Sequence, residues 1–202
     1  MLRPWRDDVR HSAGFTLIEL MVAAVISVTV LAMAGSMLIS LSTGTNRGNG
    51  QVVAQQAVSA AMSRLTSDLR SAQKLVPLGS GYSSEIEIVK NDPSGGTTPV
   101  EWKYSATQHT LTRSVLDSAG AVVSSEVVLS DVANTASQPV LSYFNQYGGS
   151  LTGATATTVA GCATRVDVNL VGGVPAGVEP FQERVDVALT NQLETIQSEG
   201  TC

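Results

Sequence analysis

Charge is scarce in this chain of 202 residues: only 14% are Asp, Glu, Lys or Arg, and aromatics add a further 4%. Holding nucleic acid by its phosphates takes a basic face. Twelve Lys and Arg against seventeen Asp and Glu leave a net charge of −5, so no nucleic-acid partner is expected. Two histidines and two cysteines are too few for a zinc cluster built from those residue types. No glycine loop ending in Lys-Ser/Thr is present to cradle a phosphate. Ser and Asp are spread so evenly that no triad stands out. His11 lies close to the N-terminus, and His109, in Ser105-Ala106-Thr107-Gln108-His109, reads as an exposed turn residue and not a catalytic base. Catalysis, cofactors and metals therefore have no candidate residues. With 43% hydrophobic residues the chain is no disordered acidic tail, and its length suits one domain or a small domain with an attached segment.

What is there begins with an apolar run. From Phe15 to Leu41 the only charged side chain is Glu19. As a helix these residues would extend about 40 Å at 1.5 Å per residue, more than the roughly 30 Å of a bilayer core. Arg3, Arg6 and Arg10 outnumber Asp7 and Asp8 in front of it, which favours a cytoplasmic N-terminus with the rest outside. Three export segments have this general form. A secretory signal would be cut after its apolar region, and Ala32-Met33-Ala34 before Gly35 offers such a site. A lipoprotein signal needs a cysteine directly after the run, and none occurs before Cys162.

The third is a leader cut in front of the apolar run. The string Gly14-Phe15-Thr16-Leu17-Ile18-Glu19-Leu20 resembles the cleavage and methylation signature of type IV pilins and of the pseudopilins of type II secretion systems. That resemblance implies a membrane-embedded prepilin peptidase that cuts after Gly14 and methylates the new amine of Phe15. It makes residues 1–14 a leader and 15–41 a transmembrane and filament-core helix. Physical reasons sit beside it. A glycine at the cut lets the backbone approach the peptidase. A carboxylate inside a membrane costs on the order of 2.5–3.5 kcal/mol at the centre. Glu19, one turn beyond Phe15, can recover much of this by meeting a positive N-terminal amine, its own or a neighbour's; the alternative is a carboxylate that snorkels to the cytoplasmic interface, where the cost is lower.

Beyond the run, residues 42–50 hold three Gly and two Asn, and the expectation is a weak helix, kink or short loop. Gly35-Ser36 stands where many pilins have a helix-breaking proline. From 51 to 76 the pattern is amphipathic: Val58, Met62, Leu65, Leu69, Ala72 and Val76 form one stripe, while Arg64, Asp68, Arg70 and Lys74 fall on other faces. This predicts a helix packed on a sheet and stopped by Pro77 and Gly79.

Residues 77–202 read as a β-rich head. Strand candidates are 85–88, 100–104 (Val100, Trp102 and Tyr104 on one face), 110–115, 126–129, 140–144, 165–170 and 184–189. The last two alternate apolar with polar, which predicts an antiparallel pair with one solvated face. Glu85 and Glu87 fall on one strand face and read as solvated, and 91–98 and 145–160 read as surface loops. If the final strands pair, Cys162 before the first and Cys202 after the second lie on the same side. A bridge there, enclosing 39 residues, is worth about 4 kcal/mol in the chain-entropy model; two free thiols are the alternative.

The expected fold is therefore α+β, a long N-terminal helix followed by a small antiparallel β-sheet head, type IV pilin-like. Its strand distribution resembles the minor subunits of the PilW-like and GspJ-like kind. Implied partners are prepilin peptidase, other pilins through the helix, an inner-membrane assembly platform and the membrane itself. Rivals are a tip adhesin using its Ser/Thr-rich loops, a DNA-uptake pseudopilin, and a secreted or anchored hydrolase. DNA uptake sits badly with nine basic residues (twelve less Arg3, Arg6 and Arg10) against fifteen acidic ones (seventeen less Asp7 and Asp8).

Overall fold

A computed structural model describes residues 16–78, 82–92, 95–173 and 180–189. One helix, α1 (Leu17–Arg70), precedes four-residue β1 (Ala72–Leu75), then β2 (Glu85–Asn91), β3 (Thr97–Ser105), β4 (Thr110–Leu116) and β5 (Val122–Leu129). After them come β6 (Leu141–Phe144), the short helix α2 (Ala156–Cys162), β7 (Arg165–Gly172) and β8 (Phe181–Ala188). The fold is α+β, a long helix followed by an antiparallel β head. Contacts divide the chain into two units, Met1–Asn46 and Arg47–Cys202.

In the first unit α1 is apolar and solvent-facing along its length. The helix runs unbroken through Gly35-Ser36, and of the weak helix, kink or short loop expected at 42–50 it is the helix that forms, throughout the Gly/Asn stretch. Each glycine costs about 1 kcal/mol of helix propensity. Breaking the helix would forfeit several hydrogen bonds and demand a second nucleation.

In the second unit β1 to β5 form an antiparallel meander in spatial order β1-β2-β3-β4-β5, and β6-β7-β8 form a second antiparallel sheet. Val58, Met62, Leu65 and Leu69 of α1 are buried against Ile86, Ile88, Val100, Trp102 and Leu111 of the larger sheet. The same core takes in Leu141, Tyr143, Val166, Val168, Leu170 and Val187 of the smaller one. The apolar stripe is thus real, but the helix ends at Arg70 and not at Val76. Ala72 and Leu75 are buried from strand β1, where a register shift between Ala72 and Lys74 turns residues three apart to the same side. That bulge imitates helical spacing.

β7 and β8 pair antiparallel from Arg165↔Ala188 to Gly172↔Phe181. The solvated face expected of the pair is carried mainly by β8, where Gln182, Arg184 and Asp186 are exposed; on β7 Arg165 and Asn169 are half-buried, while Asp167 is buried and held by the Arg184 guanidinium. The expected loop 145–160 ends in α2, capped by Thr155, whose Oγ1 accepts from the Thr158 N–H at 3.3 Å, and anchored by buried Val159 and Ala160. The other expected loop, 91–98, is trimmed at both ends, to Asn91 by β2 and from Thr97 by β3.

Glu85 and Glu87 share a face but are not simply solvated. Glu87 lies opposite Glu101 across the β2–β3 pair, and Glu85 binds Lys103 Nζ at 3.0 Å. Burial, then the neighbouring Glu85 charge, raises Glu87; burial, then hydrogen bonding and repulsion from Glu85, raises Glu101. A carboxyl raised on folding binds its proton more tightly in the native state. Its stabilising contribution is whole below the unfolded value and is lost as pH rises through the folded one. Glu101→Gln should therefore raise the melting temperature near pH 7 more than near pH 4, as thermal unfolding of the detergent-solubilised chain at both values would show.

Candidate functional site

The expected cleavage and methylation positions, Gly14 and Phe15, lie outside the described residues. Just beyond them Thr16 starts α1: its carbonyl accepts from the Glu19 and Leu20 N–H groups at 3.1 and 3.2 Å, and its Oγ1 lies 3.4 Å from the Glu19 N–H. Glu19 sits in the first turn with its side chain exposed. A carboxylate there gains about 0.3–1 kcal/mol from the helix dipole. A carboxylate costs on the order of 2.5–3.5 kcal/mol at the centre of a membrane and less near an interface, so the dipole offsets only part of the cost of any deeper position.

Fifteen large apolar side chains from Leu17 to Leu41 are exposed, Leu17 at 80% and Leu41 at 57%. Removing each from water is worth about 1.5–3 kcal/mol, so the set exceeds the 5–15 kcal/mol of a domain's net stability. Such a surface belongs in lipid or against other apolar helices. Its hydroxyls suit that medium. Ser27 and Thr29 donate to Ala23 O and Val25 O at 2.7 Å, Ser36 to Met33 O at 2.8 Å, Thr43 to Ile39 O at 2.9 Å and Thr45 to Leu41 O at 2.8 Å. Each meets its hydrogen-bonding need within the helix, as a segment without water requires.

In the head the chief polar feature is one the sequence reading put on the wrong face. Asp68 is buried at 5% exposure, with Lys90 Nζ on one carboxylate oxygen and Arg113 Nε (2.8 Å) and Trp102 Nε1 (3.0 Å) on the other. Arg113 reaches on to Glu126 at 3.7 Å, which holds Arg64 at 2.5 Å. One carboxylate thus ties α1 to β2, β3 and β4. Burial alone would raise the Asp68 carboxyl, but the Lys90 and Arg113 hydrogen bonds and charges prevail and hold it below the ordinary range. The clue lay in the spacing: Asp68 stands three after Leu65 and four before Ala72, on the apolar stripe itself.

Cys162 ends α2, half-buried and not a free thiol. Cys202 lies outside the described residues, and so does the expected pairing. His109 is an exposed turn residue, at φ 53°, whose Nδ1 lies 3.1 Å from Val132 O. No group of three or more His, Cys, Asp or Glu side chains able to hold a metal occurs among the described residues.

Residues 9–35 match the family model of the prokaryotic N-terminal methylation motif. That motif marks a type IV prepilin-like protein. No curated protein matches the chain. Prepilin motifs imply export through prepilin processing, by prepilin peptidase, and membrane assembly with other pilins. With the apolar α1, the motif fits a membrane-anchored single-pass protein of the pilin-like kind, a class that is usually structural and non-enzymatic.

Proposed function

We propose that the chain is a minor pilin or pseudopilin, a structural subunit of a type IV pilus or a type II secretion-type pseudopilus. Prepilin peptidase cuts between Gly14 and Phe15 and methylates the Phe15 amine. The mature subunit then waits in the inner membrane, N-terminus cytoplasmic and head outside. It leaves by packing α1 against neighbouring pilins on an inner-membrane assembly platform. The observation that carries this reading is the pairing of the methylation motif at residues 9–35 with the stretch of α1 from Leu17 to Leu41, whose large apolar side chains are exposed and whose lone carboxylate is Glu19. In this reading Glu19 meets a Phe15 amine during assembly. A Cys162–Cys202 bridge would pin the C-terminus beside β7 and β8, and the antiparallel β7–β8 pairing supports it. The strand pattern of the head supports a PilW-like or GspJ-like subunit.

Intact mass and N-terminal sequencing of the membrane-extracted native protein test the reading. The expected product begins at methylated Phe15 and retains the apolar helix. A full-length chain, or one starting at Gly35, overturns it. The same intact mass, read with and without reduction, reports the bridge.

A further inference from the structure

The free edge of the smaller sheet has a gap, and a cavity opens on it. Around β6 the even-numbered residues turn toward β7: Val140 O accepts from the Asn169 N–H and Phe144 O from the Thr164 N–H, both at 2.9 Å. The N–H and C=O of one strand residue point the same way, so those of Leu141 and Tyr143 face away from β7. The Leu141 N–H is met, donating to Ser83 O at 3.1 Å, and Tyr143 O accepts from the Leu151 N–H at 2.9 Å. Between these bonds the Leu141 carbonyl and the Tyr143 N–H have no partner among the described residues. Tyr143 also keeps its hydroxyl buried with no hydrogen-bond partner among them, a further unmet group at this place. Beside the gap lies a cavity of about 600 Å³, walled by Tyr82, Ser83, Leu151 and Val159 together with Leu141 and Tyr143. Its size is that of an ordinary ligand site. Among the described residues no charged side chain lines it.

We infer that this cavity binds an uncharged peptide segment of another protein, one residue of which joins the β6 edge in parallel, opposite Ser142. A free carbonyl at 141 and a free N–H at 143 are the pattern that a parallel neighbour meets. Its N–H donates to Leu141 O, and its own carbonyl accepts from the Tyr143 N–H. An antiparallel guest would exchange both bonds with a single residue, and Leu141 and Tyr143 each have one group already taken. Ser83 and Leu151 close the edge on either side, so recognition is confined to that guest residue and its immediate neighbours. Side chains alternate along a strand, which puts the neighbours' side chains on the same face as Leu141 and Tyr143, where Leu151 and Val159 line the cavity. Apolar groups suit that wall, whereas a charge would give up water and find nothing there to pair with it. The site belongs to the head alone and stands whether or not the leader is cut.

Nuclear magnetic resonance of the full-length chain in detergent micelles tests both the site and the pairing. Labelling with ¹⁵N-tyrosine gives one backbone amide signal for each of the four tyrosines, assigned by Tyr→Phe variants. Titration with the capped peptide acetyl-Val-Ala-Val-amide should move the Tyr143 amide proton downfield in a saturable way. Tyr104, whose N–H already donates to Ser84 O at 2.6 Å, should stay in place. Methylating the alanine nitrogen of the peptide removes the N–H offered to Leu141 and should weaken binding about tenfold or more. Thr152→Trp, at an exposed position on the cavity wall, should abolish the shift, with the Tyr104 signal unmoved to show the head still folded. No Tyr143 shift in a folded head, or one that survives Thr152→Trp, overturns the proposal. So does equal binding of the N-methylated peptide, which would mean that the cavity takes apolar groups without edge pairing. A Tyr143 shift produced by raising the protein concentration alone would make a second copy the occupant, and overturns it too.

Discussion

Asp68→Ala is expected to destabilise the head by about 3–5 kcal/mol, the cost of removing one partner of a buried charged pair. Against a net stability of 5–15 kcal/mol, that leaves a marginal fold. The size follows from what the carboxylate holds. Lys90 and Arg113 side chains are only 23% and 16% exposed, so each would keep a charge with little water to solvate it. The Trp102 Nε1–H would lose its acceptor in the core, where that residue is 1% exposed. Asp68→Asn keeps an oxygen for the indole and loses the charge, so it should fall between the two. Urea unfolding followed by fluorescence measures both; Trp5 lies in the segment that the proposed cleavage would remove, which would leave Trp102 as the reporter. The midpoint should drop with little change in slope. Wild-type midpoints for both variants would show that the Asp68 cluster adds no net stability to the head.

The acid side of the stability curve gives an independent check. Because Asp68 is held below its usual value of 3.8, the unfolded chain takes up its proton first as pH falls. Its contribution is complete above the unfolded value and is lost as pH drops through the folded one. Asp68→Ala should flatten that acid limb below about pH 4, opposite in sign to the Glu101 effect.

How much of this was legible follows from where each signal sits in the chain. The stripe Val58, Met62, Leu65, Leu69 and the Val100-Trp102-Tyr104 alternation were readable because a periodic pattern reports its own burial. Glu19 was readable because it is the one charge in a long apolar run. Asp68 was only half readable: its place on the apolar stripe marks it as buried, but its partners lie 22, 34 and 45 residues downstream, and no local pattern announces a pairing that only the folded sheet creates. β1 was hidden by its bulge, and α2 by its seven-residue length within a Ser/Thr-rich stretch. Residues 42–50 left a weak helix, a kink and a loop open, because local propensity there is poor and the choice is made by the helical residues on either side, which extend one unbroken helix through Gly44, Gly48 and Gly50.

Glu19→Ala should leave cleavage and methylation intact and lower incorporation into filaments roughly tenfold or more, the equivalent of at least 1.4 kcal/mol. Cleavage is expected to survive because the cut lies between Gly14 and Phe15, ahead of α1, and one apolar substitution only eases membrane insertion. Assembly should suffer because the carboxylate earns too little from the helix dipole to explain its place. In the proposed assembly a positive group in the same apolar layer would stabilise it, and the Phe15 amine of an adjacent subunit, four residues ahead of Glu19 in its own chain, is the group proposed. Glu19→Gln should fail nearly as badly as alanine, since the charge and not the shape is at issue. Glu19→Asp, which keeps the charge on a shorter arm, should recover part of the loss. Quantifying the variant in sheared filaments against its membrane pool separates the outcomes. Equal incorporation of Glu19→Ala and wild type would show that no charge pair operates there, and would leave the carboxylate as a cap on the first turn of α1.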